Sequence, residues 1–280
     1  MKLGRHVSIA GGIDKAFERA QILGCNCLQI FAKNPRGWKG RDISTREIRS
    51  VKKKLLKFNM SPLVVHSTYL INPAAPEDEL WEKSTRGLID DYSRSGKINA
   101  DYLVIHPGNH KNKGLKYGIK RIIACLNTVL KIIKNDCIIL LENVAGAGTG
   151  IGSNFHELEM ITDGIEDNHR IGFCLDTCHA FAAGYDFRKK EQLELMLKEI
   201  KNTITLEKLK IIHVNDSKYK FGLNKDVHAH IGEGYIGLKG IGNIVNHPDF
   251  KEIPFILETP HFKNKDKDIE TIISLREKGE

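Results

Sequence analysis

Cys137–Asn143 read CIILLEN: five apolar residues in a row, then a carboxylate and an amide. A strand with one wet face alternates polar with apolar residues. One that is apolar on both faces has to be covered on both, as in a parallel sheet packed against helices. The same form recurs in RHVSIA (5–10), CLQIFA (27–32), PLVVHS (62–67), YLVIHP (102–107), IGFCLDT (171–177), LKIIHVND (209–216) and FILET (255–259). Helix-like segments alternate with these runs at 13–23, 44–58, 78–98, 115–134, 154–163, 189–204, 238–246 and 266–278. Ser44 with Glu47 fits a capping box. Eight alternating units in 280 residues predict an α/β fold, a closed (β/α)8 TIM barrel, with an open doubly wound sheet as the alternative. No linker or change of composition divides the chain, so one domain over 1–280 is expected.

The bulk numbers set limits on partners and compartment. With 41% hydrophobic and 28% charged residues and no low-complexity tract, the chain reads as globular. The stretch MKLGRHVSIAGG has no apolar core of signal-peptide length, and no apolar run reaches the ~20 residues a bilayer span requires. A cytoplasmic protein that meets no membrane is expected, or a nuclear one if the source has a nucleus. Cys25, Cys27, Cys125, Cys137, Cys174 and Cys178 lack the spacing of a disulfide framework or a paired C-x-x-C zinc site, and read as reduced, mostly buried thiols. The net charge of +8 favours polyanions, nucleic acid first, with solubility as the plainer explanation.

What each run ends in carries the chemistry. His66 and His106 close the third and fourth runs, Glu142 and Asp176 the fifth and sixth, and Glu258 the eighth, while the seventh carries His213 and Asp216. In a barrel these ends converge on the face where active sites of the fold are built. Converging charges repel or resist desolvation unless a cation neutralises them. His179 follows Asp176 by three residues, and DVHAHIGEG adds Asp226 and His228. The candidate ligands are thus His66, His106, Glu142, Asp176, His179, His213, Asp226, His228 and Glu258. Imidazole and carboxylate without thiolate suit Zn²⁺ or Mn²⁺ better than Mg²⁺. One tetrahedral ion takes four ligands; nine point to a multi-metal hydrolytic site acting on phosphate esters. The glycine run ENVAGAGTGIG lacks the Gly-Lys-Ser/Thr ending of a phosphate loop and reads as a loop passing close over the metal face.

Together with HVSIAGG, FAKNPRGW (31–38), HSTYLINPA (66–74), HPG (106–108), LLENVAGAGTGIG (140–152), DTCHAFAAGYD (176–186), HVNDSK (213–218), DVHAHIGEG (226–234) and LETP (257–260), these features resemble the endonuclease IV type of apurinic/apyrimidinic endonucleases over nearly the whole chain. The resemblance implies a TIM barrel with a trinuclear, usually zinc, site at the carboxyl ends of the strands. It implies action on double-stranded DNA in base excision repair; a monomer is expected by default, because DNA supplies the partner surface. The phosphodiester 5′ to an abasic site would be hydrolysed, leaving a 3′-hydroxyl and a 5′-deoxyribose phosphate. Carried over by motif, His66 and His106 hold one ion, which Glu142 bridges to a second. Asp176, His213 and Glu258 complete that second site, and His179, Asp226 and His228 hold the third. Glu142 and Glu258 are the carboxylates suited to orient or deprotonate the attacking water. Arg36, Tyr69 and Leu70 match positions that contact bent DNA or fill the gap left by flipped nucleotides.

This sequence departs from the family pattern at Val227, where many relatives carry Arg between the Asp and the His, and at Pro35 and Gly37 beside Arg36. Trp38 is expected to pack under its loop. His6 and His230 stand near the ligands without belonging to the set. The rival from another class is a metal-dependent sugar isomerase or epimerase on the same barrel. It would employ Glu142, Asp176, His213 and Glu258, leaving His66, His106 and the Asp226/His228 pair without work.

Overall fold

The computed structural model describes residues 1–260 and 266–277. Its strands are β1 (Leu3–His6), β2 (Cys27–Phe31), β3 (Leu63–His66), β4 (Tyr102–Ile105), β5 (Ile138–Glu142), β6 (Ile171–Asp176), β7 (Leu209–His213), β8 (Asp216–Ser217), β9 (His228–Ala229) and β10 (Phe255–Leu257). All except β8 and β9 form a closed barrel, in the order β1-β10-β7-β6-β5-β4-β3-β2, every pair parallel. The helices are α1 (Lys15–Ile22), α2 (Thr45–Phe58), α3 (Asp78–Lys97), α4 (Leu115–Ile132), α5 (Phe155–Asp163), α6 (Thr177–Ala183), α7 (Lys190–Asn202), α8 (Gly237–Val245) and α9 (Lys267–Glu277).

The expected eight-fold alternation holds, with four differences. The first strand begins at Leu3 and ends at His6, so residues 7–10 leave the barrel, with only Val7 N still bonded to Gln29 O at 2.8 Å. Ser44 Oγ accepts from Glu47 N at 3.2 Å, as a capping box requires, but the Glu47 carboxylate turns to Ile13 N at 2.7 Å and to Arg41. The segment after Asp176 is a short helix, α6, capped by the Asp176 side chain on His179 N and ended by Gly184 at φ 113°. The chain after β7 makes a small antiparallel pair, β8 with β9. The expected last helix reached 278, which lies outside the described residues.

The barrel wall sorts its side chains by the two-residue pleat. Outward residues such as Leu28, Leu63, Leu103, Ile139, Phe173 and Phe255 join the main core with the helices. Cys27, Val64, Val104, Leu140, Cys174, Ile211 and Ile256 form a separate buried cluster, the floor of the barrel interior. Gly4 of β1 completes that ring. Two residues further along each strand the next inward position is polar: His6, Gln29, His66, His106, Glu142, Asp176, His213 and Glu258. The floor excludes water from below, so the polar ring opens only upward.

Arg5 faces outward near the carboxyl end of β1 and is fully buried. Its Nη1 lies 2.8 Å from Asp266, and its Nη2 donates to the carbonyls of Thr259 and Pro260 at 2.6 and 2.7 Å. This clamp ties β1 to the chain just beyond β10 and to the start of α9. All six cysteines are buried free thiols. No helix among the described residues is long and apolar enough to cross a membrane.

Gly4 leaves no room for a side chain: a Cβ there would sit 2.2 Å from the Cys27 carbonyl oxygen and 2.6 Å from its carbon, in the neighbouring strand's backbone. Gly4→Ala is therefore expected to lower unfolding free energy by about 1–3 kcal/mol or more, read as a lower urea midpoint. An unchanged midpoint would contradict the floor packing described.

Candidate metal centre

Glu142, at the end of β5, is fully buried and sits at the middle of the polar ring. Its Oε2 lies 3.3 Å from His66 Nε2 and 3.1 Å from His106 Nε2; its Oε1 lies 3.0 Å from His213 Nδ1 and 3.4 Å from His179 Nδ1. His179 comes from α6, where the helical turn started by the Asp176 cap lifts it one step above the strand ends. On its far side His179 Nε2 lies 3.1 Å from Asp226 Oδ2, and Asp226 Oδ1 lies 3.2 Å from His228 Nε2. The nine candidate ligands thus fall into three groups whose donor atoms lie within 4.8 Å of one another: His66–His106–Glu142, Glu142–Asp176–His213–Glu258, and His179–Asp226–His228. Glu142 belongs to the first two.

Most of the imidazoles are held by one nitrogen and present the other. His66 Nδ1 donates to Ser67 O at 2.8 Å, His179 Nδ1 to Asn143 O at 2.9 Å, and His228 Nδ1 to Glu258 O at 3.3 Å. In each case Nε2 is left for the carboxylates. His213 is reversed, with Nε2 2.8 Å from Gln29 Oε1 and Nδ1 turned to Glu142. Holding one ring nitrogen by an acceptor is the arrangement that orients an imidazole for a cation.

The electrostatics ask for positive charge. Burial by itself would raise the Glu142 carboxyl, but His213 and His106 hold it well below the usual carboxylate range; Glu258 is held low in the same way, mainly by His213. Among the described residues no Lys or Arg forms an ion pair with Glu142, Asp176, Asp226 or Glu258; their partners are imidazoles alone. His228 Nε2 is buried and, although near two carboxylates, has no partner in hydrogen-bond geometry. An oriented nitrogen without a hydrogen-bond partner beside two carboxylates fits a cation ligand, and the mixed N/O donor set fits a zinc-like ion. Cys174 and Cys178 approach the same donors, but burial pushes both thiols up to about 12, so they stay protonated.

Asparagines brace the ring. Asn143 Oδ1 accepts from Asp176 N at 2.7 Å, while Asn215 donates to Asp176 Oδ2 at 2.6 Å and accepts from Glu258 N at 2.8 Å. Asp216, carried by the seventh run but outside the candidate ligands, braces a loop: its oxygens accept the backbone N–H groups of Ser217, Gly232, Gly234, Ile236 and Gly237. At the end of the glycine run, Gly152 N and the following Ser153 N donate to Glu157, so neither is available to a phosphate. His230 Nδ1 lies 3.0 Å from Asp268, away from the cluster. Gln29 is the polar residue that sequence reasoning missed. Its signal was a lone amide in the middle of the apolar run CLQIFA.

The cluster opens into a cavity of about 370 Å³ lined by His6, Phe31, Tyr69, Thr259 and Pro260 besides six of the nine candidate ligands, with Glu142, Asp176 and His213 lying outside its lining. Tyr69 is 66% exposed and stands edge-on to Phe31. Its backbone N donates to Pro35 O at 3.2 Å, and Lys33 reaches Asp91, which accepts from Thr68 N at 3.1 Å. These bonds join the loop carrying exposed Arg36 to the loop carrying Tyr69 and half-buried Leu70. Trp38 packs against Gly87 of α3, beneath its loop, with Lys83 4.9 Å over its ring. The excursion between β8 and β9 exposes Lys218, Lys220, Lys225 and Phe221. Val227 is exposed in it and contributes its carbonyl to Lys218 N.

A sequence model of the xylose isomerase-like TIM barrel family matches residues 17–278. The chain is 59% identical over 276 residues to a protein of Halothermothrix orenii named probable endonuclease 4, with 99% of each chain covered. Among solved structures, endonuclease IV from Thermus thermophilus superposes with a TM-score of 0.89 at 33% identity, over 99% of this chain and 100% of that one. A D-tagatose 3-epimerase-like protein superposes with a TM-score of 0.73 at 18% identity, over 99% of this chain and 96% of that one, a likeness of fold alone.

Burial by itself would lower His228, but Asp226 beside it raises the imidazole to about 9. The fold thus favours the protonated form: its contribution is full below the unfolded value of about 6.5 and is lost as pH rises through about 9. Chelator-treated protein is expected to be about 2–3 kcal/mol less stable to urea at pH 9.5 than at pH 6.5, and Asp226→Asn should flatten that dependence. A flat wild-type profile would contradict the assigned contact.

Proposed function

The chain belongs to the xylose isomerase-like TIM barrel family and within it to the endonuclease IV type, and from that premise we propose that it incises duplex DNA at abasic sites for base excision repair. The phosphodiester 5′ to the lesion is hydrolysed, leaving a 3′-hydroxyl and a 5′-deoxyribose phosphate. The observation that carries this reading is the shared carboxylate: Glu142 belongs to two groups of cation donors, and the third abuts it through His179.

In this reading the His66–His106–Glu142, Glu142–Asp176–His213–Glu258 and His179–Asp226–His228 groups each hold one ion, three Zn²⁺ per chain, with Mn²⁺ admissible at some positions. Bound there, the ions supply positive charge to phosphoryl oxygens and lower the pKa of an attacking water. The chain's own residues do the rest. Glu142 and Glu258 offer oxygens that orient that water or take its proton. The apolar floor and Phe31 keep bulk water from the reacting bond. Tyr69 presents an aromatic face at the mouth for stacking, with Leu70 beside it, and Arg36 supplies a phosphate contact. The net charge of +8 and the lysines of the β8–β9 excursion favour the polyanion, and the enzyme acts as a monomer.

The sugar isomerase reading accounts for Glu142, Asp176, His213 and Glu258 only. It leaves two of the three groups and the basic mouth unused, and the likeness to an epimerase-like protein concerns the fold.

Metal-replete protein is expected to nick a duplex carrying one tetrahydrofuran abasic analogue on its 5′ side; prior chelation should abolish the nick and added Zn²⁺ restore it. No incision by replete protein would overturn the proposal. Arg36→Ala should weaken binding to that duplex and reduce the slope of log affinity against log salt by about 1. An unchanged slope would remove Arg36 from the DNA contact.

A further inference from the structure

We propose that Gln29 is the positioning residue of the central donor group, resting on the reading that this group holds a cation: its single amide holds His213 by one nitrogen and Glu258 by one oxygen, so that the other atom of each faces the cation seat. Gln29 lies on β2 and is fully buried. Its Nε2 donates to Glu258 Oε1 at 2.5 Å and lies 3.0 Å from His6 Nδ1. Its Oε1 lies 2.8 Å from His213 Nε2. The amide can face only this way, because turning it over would set its carbonyl oxygen 2.5 Å from a carboxylate oxygen. A carbonyl oxygen facing His213 Nε2 requires that nitrogen to carry the proton. The lone pair is then at Nδ1, 3.0 Å from Glu142 and 3.3 Å from Glu258 Oε2. Because Gln29 takes up Oε1 of Glu258, Oε2 is the oxygen left for the seat.

The other three imidazoles with a held nitrogen are held by backbone carbonyls of Ser67, Asn143 and Glu258, which substitution cannot remove. Of the candidate ligands among the described residues, His213 is the imidazole whose far nitrogen is held by a side chain, and that side chain comes from across the barrel: β2 and β7 are separated by β1 and β10. Loss of such an acceptor ordinarily weakens metal affinity 10- to 100-fold.

The test uses the full chain, stripped with chelator and titrated with Zn²⁺ against a colorimetric competitor. Wild type and Gln29→Leu are compared, with near-isosteric Gln29→Met as the second variant in case Leu does not fold. The variant should bind one zinc equivalent 10- to 100-fold more weakly and keep the others. In zinc-loaded protein labelled with ¹⁵N-histidine, the His213 Nε2 proton should be protected from solvent exchange in wild type and exchange at least about tenfold faster in the variant. Wild-type protein that takes up no zinc would overturn the metal reading and the proposal with it. A folded variant that binds every zinc as tightly as wild type, or keeps the His213 proton equally protected, would overturn the proposal alone.

Discussion

Four carboxylates and six imidazoles, His6 included, crowd the upper end of the barrel, and among the described residues no lysine or arginine pairs with those carboxylates. Glu142 is the extreme case, a charge wholly out of water. An ionised carboxylate in a dry interior costs several kcal/mol unless its oxygens are engaged. Much of the surrounding structure answers to that constraint. The asparagines of the β5 and β7 exits, the Asp176 cap on α6, and the carbonyls that hold three imidazoles all fix where each donor points. The centre is therefore held by the fold before any ligand enters, as catalysis by preorganised groups requires.

The barrel and its donors are legible in the sequence for one physical reason. A strand buried on both faces leaves no wet side on which to place a polar residue, so a His, Glu or Asp ending such a run stands out. His66, His106, Glu142, Asp176, His213 and Glu258 all do so. What stays hidden lacks a local signal. Helix α6 spans only seven residues, fewer than two full turns of a periodic pattern. Strands β8 and β9 have two residues each and exist because Asp216 gathers backbone N–H groups from residues up to 21 positions on. Gln29 is visible as one amide in an apolar run, but its partners His213 and Glu258 lie 184 and 229 positions away. Asp216 is the converse case: a carboxylate at a strand exit that stands outside the candidate ligands and braces a loop through its oxygens.

The mouth follows a different logic. Its loops are exposed where the ring is buried, yet they are not independent. The bond from Tyr69 N to Pro35 O and the Lys33–Asp91–Thr68 chain make the β2 and β3 loops one unit. An exposed aromatic and an exposed arginine thus keep a set distance at the rim, while Trp38 anchors the unit to α3. The departure from the family pattern at Val227 leaves this unit untouched, because that position engages its neighbours through its carbonyl.

The pleat has a consequence beyond this site. Every barrel strand places a small or apolar inward residue two positions before its inward polar one, so stability is invested in one ring of eight positions and chemistry in the next. The two rings share a backbone but not side chains. Substitutions can accumulate in the upper ring while the lower one goes on closing the barrel. Such a scaffold is modular along its axis, which gives a physical basis for one architecture persisting at 18% identity.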